Sequence, residues 1–107
     1  MNKFAFLLIA TLAPWAAQVH AQDAAAGRAK ADSACALCHG QNGIATMPSA
    51  PNLAGQAPIY LSEQLKNYRS GKRQHEVMSV IAKPLTDAEI ANLAAWYSSI
   101  KVTVEAP

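Results

Sequence analysis

The 107-residue chain has few of the residues that build polar sites: two cysteines, three histidines and seven acidic side chains. With Cys35 and Cys38 as its only thiols, it has no disulfide framework to hold a small fold together. His20, His39 and His75 are the only histidines, so no second ligand pair completes a four-coordinate zinc site. Charged residues make up 15% of the chain and the formal net charge is +2, a field too weak to support a nucleic-acid role. No acid–base pair, activated nucleophile or phosphate cradle is visible, which argues against catalysis on a bound substrate. A long hydrophobic run is missing too. The apolar stretch from Phe4 to Leu12 is shorter than the roughly 20 residues of a spanning helix, and Pro14 and Trp15 break it.

That short stretch has a different use. Met1-Asn2-Lys3 gives a charged start, Phe4 to Leu12 an apolar centre, and Val19-His20-Ala21 small residues where a signal peptidase reads. The pattern predicts an export signal over residues 1–21, cleaved after Ala21, with no stable membrane insertion afterwards; retention as an anchor is the competing reading. Residues 22–107 would then form a single domain in the periplasm. Loss of Lys3 lowers the formal charge to +1.

What the chain does contain is Cys35-Ala36-Leu37-Cys38-His39. A Cys-x-x-Cys pair can be a thioredoxin-like redox couple, half a zinc site or a simple disulfide. The first wants a strand–helix–strand setting and the second wants more ligands, and neither is present. With histidine directly after the second cysteine, the spacing matches the attachment site of a c-type haem. Each sulfur would bond one vinyl group of the porphyrin, and His39 would lie under the iron.

The surrounding pattern is helical. Asp23 can open a first helix of mostly alanine, in which Gly27 marks a close crossing with another helix. Gly40 to Gln56 has no periodicity and reads as a long loop, of the kind that wraps a cofactor. Pro58 suits the first turn of a second helix, with Ile59, Leu61, Leu65 and Tyr68 as its apolar surface and Gly71 at its end. On its outer face Lys66, Arg69, Lys72 and Arg73 form a cationic stripe that would suit an acidic docking partner or be simply solvated. His75 to Lys83 reads as a short helical segment closed by Pro84. Thr86 to Glu89 has capping-box form and starts a last helix with Ile90, Leu93, Ala94, Tyr97 and Ile100 along its stripe and Trp96 at the edge.

In this order the pieces resemble the class I c-type cytochromes, and among them the small bacterial periplasmic proteins of the c4 and c553 kind. The similarity is carried by Gly27, Cys35 to His39, Pro51-Asn-Leu-Ala-Gly-Gln56, Tyr60-Leu61 with Gln64-Leu65, Gly71-Lys-Arg73, Met78 with Ile81-Ala82, and Leu85 to Tyr97. The resemblance implies an all-α fold of three main helices plus short helical segments around one haem c, bound covalently through Cys35 and Cys38. It implies Met78 as the axial ligand opposite His39, and the Pro51 carbonyl as acceptor of the other His39 ring nitrogen. It also implies that the first and last helices cross near Gly27, with Trp96 or Tyr97 at the contact. Of the methionines left after signal removal, Met47 lies just beyond His39, whereas Met78 stands on a separate apolar segment able to close over the opposite haem face. His75 and an open iron position are the remaining alternatives.

The expected protein is a monomeric electron carrier that exchanges single electrons with redox protein partners. Two other classes compete: a haem protein with an open sixth position that binds a gas or peroxide, and a haem subunit of a larger oxidoreductase. They differ in carbon monoxide binding by the ferrous protein and in purification as a free monomer.

Overall fold

The computed structural model describes residues 22–107, so the signal expected over 1–21 lies outside the described residues. Among the described residues five helices follow one another: α1 (Ala24–Ala34), α2 (Ala36–His39), α3 (Pro58–Ser70), α4 (Met78–Ala82) and α5 (Asp87–Ser99). Among the described residues there is no strand, and no helix is long and apolar enough to cross a membrane. Three main helices and two short ones match the sequence expectation.

Local chemistry accounts for the helix ends. The Asp23 carboxylate accepts from the Ala26 amide and caps α1, while the Asp23 amide donates to the Asn92 side chain on α5. Thr86 and Glu89 form the predicted capping box at the start of α5: each side chain accepts from the other residue's backbone amide, at 3.1 and 2.9 Å. Pro58 opens α3 and Gly71 ends it in the left-handed conformation.

The core is formed where α1 and α3 pack against α5. Ala31, Leu61, Leu85, Ile90, Leu93, Ala94 and Tyr97 are buried there together with Ala82 of α4, and Leu65, Tyr68, Trp96 and Ile100 pack around them. The α1–α5 crossing is close at Gly27, as expected. A Cβ there would lie 1.9 Å from the Asn92 carbonyl oxygen and 3.0 Å from the Trp96 Cβ. The Lys30–Glu89 ion pair, at 3.1 Å, bridges the same two helices.

Two expectations need correction. Ile59 does not belong to the apolar surface of α3; it is 80% exposed. Leu61, Leu65 and Tyr68 follow each other at spacings of four and three along one helix face, and Ile59, two residues before Leu61, points away from it. Nor is His75 to Lys83 helical throughout, because α4 begins only at Met78.

Candidate haem site

The site is built on the turn from α1 into α2. The Cys38 and His39 amides both donate to the Cys35 carbonyl, at 3.3 and 3.0 Å, which closes one helical turn. Residues three and four apart in such a turn share a face, so both thiols and the imidazole are presented together. Both cysteines are free and half-buried, and His39 is 7% exposed. Burial pushes the Cys35 thiol above its ordinary value, partly offset by Tyr97 and Lys30. Burial and the adjoining Cys35 raise the Tyr97 phenol. The Tyr97 hydroxyl itself is buried and makes no hydrogen bond of good geometry.

Gly40 turns the chain away from His39 with φ of 78°, where a Cβ would lie 1.8 Å from the Ile44 carbonyl oxygen. The expected loop then folds back onto α2. Thr46 donates from its amide to the Cys38 carbonyl and from its hydroxyl to the Leu37 carbonyl. Farther on, the Leu53 and Ala54 amides both donate to the Gly43 carbonyl, and Asn52 Oδ1 accepts from the Ala45 amide at 2.7 Å. These bonds flank Pro51 and hold its carbonyl 2.8 Å from His39 Nδ1. A carbonyl can only accept, so Nδ1 carries the ring proton and Nε2 carries the lone pair. This contact fixes both the tautomer and the orientation of the imidazole, as a metal-ligating histidine requires.

Met78 opens α4, is half-buried and stands against His39. Met47 is 43% exposed in the loop. The sequence-predicted residues Cys35, Cys38, His39, Pro51 and Met78 are thus brought to one place. Two thiols on one face, an oriented imidazole with its lone pair on Nε2 and a thioether beside it fit a covalently attached haem. Of the supporting residues, sequence reasoning missed Asn52 and Tyr97 near the site. A polar asparagine after a loop proline was the available signal for the first; the second was assigned to the apolar stripe of the last helix and to the helix crossing.

The cationic stripe is less free than its spacing suggested. Arg69 donates to the Leu85 carbonyl at 3.0 Å and to the Asp87 carboxylate at 2.6 Å. Arg73 donates to Gln64 and lies over the Tyr68 ring. Lys66 and Lys72 keep their exposed positions.

Comparison with known proteins agrees with this geometry. The family model described as cytochrome c matches residues 24–101. Cytochrome c4 of Pseudomonas aeruginosa is 39% identical over 97% of this chain, and the match covers 51% of that protein. Cytochrome c-554(548) of Halomonas halodenitrificans is 44% identical over 74% of this chain and 98% of its own length. The crystal structure of reduced recombinant cytochrome c4 from Pseudomonas stutzeri superposes with a TM-score of 0.70 at 35% identity, over 78% of this chain and 48% of that one. The chain therefore spans about half the length of the cytochrome c4 relatives it matches. It belongs to the cytochrome c family, with haem c bound covalently through Cys35 and Cys38.

Proposed function

We propose that this cytochrome c4-like electron carrier shuttles single electrons between protein partners in the periplasm, with His39 and Met78 closing both axial positions of its iron. The observation that carries the reading is the 2.8 Å contact between His39 Nδ1 and the Pro51 carbonyl, which leaves Nε2 as the donor nitrogen. When bound, haem supplies one-electron exchange at iron. The chain's own part is to hold one nitrogen and one sulfur ligand and so leave no position on iron for substrate. A thioether in place of a second imidazole favours Fe(II) and raises the potential. The protein then acts by redox change rather than as an enzyme. In the same proposal residues 1–21 are a cleaved export signal and residues 22–107 a single monomeric domain.

Axial ligation gives the direct test. The ferric sulfur-to-iron charge-transfer band is expected to disappear in Met78→Ala and to persist in Met47→Ala. The reverse pattern, or prompt carbon monoxide binding by the native ferrous protein, would overturn the reading. N-terminal sequencing of the exported holoprotein is expected to begin at Gln22.

A further inference from the structure

His75 lies outside the donor set described above, yet it is bonded to the start of α4 at several points. Its imidazole Nδ1 accepts from the backbone amides of Val77 at 3.2 Å and Met78 at 3.3 Å. Its own amide donates to the Ser79 hydroxyl at 3.0 Å, and its carbonyl accepts from the Ser79 amide at 3.0 Å. Backbone amides can only donate, so Nδ1 is the lone-pair nitrogen and the ring proton sits on Nε2.

The arrangement matters because α4 is weak by itself. It has five residues, and its N-cap, Val77, makes no side-chain capping bond. The first amides of a helix have no partner within it, and a helix this short is not stable in isolation. Here the imidazole receives the amide of Met78 itself.

The ring is in turn located by α3. Tyr68 meets it edge-on, with centroids 6.5 Å apart and planes at 74°. Arg73 lies 4.7 Å over Tyr68 and is held at its other side by Gln64, at 2.9 Å. A brace therefore runs from the end of α3 through Tyr68 and His75 to the backbone of Met78.

We propose that His75 is a positioning residue for Met78: by receiving the Val77 and Met78 amides it fixes the backbone from which the thioether reaches iron. This deepens the reading of Met78 as an axial ligand and rests on it. Loss of the imidazole leaves the sulfur unchanged as a donor but frees the segment that carries it. The expected defect is an iron–sulfur bond that opens more often, with no change in which ligand is bound at rest.

Holoproteins of the wild type, His75→Ala, His75→Asn and Met78→Ala test this. Each ferric form is titrated with imidazole while the sulfur-to-iron charge-transfer band is followed. His75 is exposed and outside the apolar core, so its substitutions leave that core intact. An asparagine carbonyl can accept from the amide two residues on, as in an Asx turn, and so replaces part of the contact. His75→Ala is expected to show the full band without imidazole and to lose it at about tenfold lower imidazole concentration, the scale set by two modest net hydrogen bonds. His75→Asn is expected to recover most of that factor. Equal imidazole affinity in the wild type and His75→Ala, or equal weakening by Ala and Asn, would overturn the positioning role while leaving Met78 as ligand. A band that survives Met78→Ala would overturn the ligand assignment and this inference with it.

Discussion

At Gly27 one methyl group decides between two opposing effects. Alanine is the better helix former by about 1 kcal/mol, so on an open helix surface Gly27→Ala would stabilise α1. In this fold the added Cβ would lie 1.9 Å from a backbone oxygen of α5, and a backbone atom cannot rotate aside. The helices must separate, which also strains the Asp23–Asn92 and Lys30–Glu89 links on either side of the contact. Overpacking of this kind costs about 1–3 kcal/mol, more than the propensity gain. Denaturant unfolding of the Gly27→Ala holoprotein is therefore expected to show a net loss of stability, and a gain would mean that the crossing is looser than described. Gly27 was recognisable in the sequence because a glycine interrupting an alanine-rich helix needs a steric reason.

For α5 the deciding groups sit in its first turn. Thr86→Ala removes one capping acceptor and is expected to lower stability by about 1 kcal/mol, read from thermal unfolding. The acidic neighbours add a pH dependence. Asp87 is held below the ordinary carboxylate value by hydrogen bonding to Arg69 and by its charge, and Glu89 by the Thr86 amide and then by Lys30. Groups with lowered folded-state values stabilise the protein above their unfolded values, and that contribution fades as pH falls through the folded ones. The melting temperature should therefore decline on acidification through and below the usual carboxylate range, in the wild type and in Thr86→Ala alike, because alanine keeps the backbone amide that donates to Glu89. Both carboxylates are solvated, so the effect is small. The capping box was legible because Thr86 and Glu89 are three residues apart. Partners of Arg69 were not, because Leu85 and Asp87 belong to a later segment and helical spacing says nothing about which segment returns to a face. The same limit hid His75: histidine is outside the usual capping set, and its link to Tyr68 crosses between elements. Within the site, Cys35, Cys38 and His39 were legible from one short motif, whereas the positions of Pro51 and Met78 required the resemblance.

Across the whole molecule, the apolar interior is thin for the number of helices it must hold. Ile90 and Leu93 are its largest fully buried side chains, and Ala31, Ala82 and Ala94 bring little apolar surface each. Meanwhile Ile44, Met47, Ile59, Tyr60, Val77 and Val80 keep 43–80% of their surface exposed. A domain this small buries too small a fraction of its surface to be stable by a wide margin, and chains of this size commonly rely on a covalent or cofactor staple. Covalent haem supplies a large apolar body joined to α2, and His39 and Met78 would link that helix to α4 through iron. Cys35→Ala/Cys38→Ala removes the attachment without deleting core side chains of any size. Its circular dichroism is expected to show reduced helicity and a broad, weakly cooperative melt, against a sharp transition for the holoprotein. Full native helicity with cooperative melting in the double variant would show that the α1–α3–α5 core suffices alone. It would also leave the haem with its proposed electron-transfer role and no structural one.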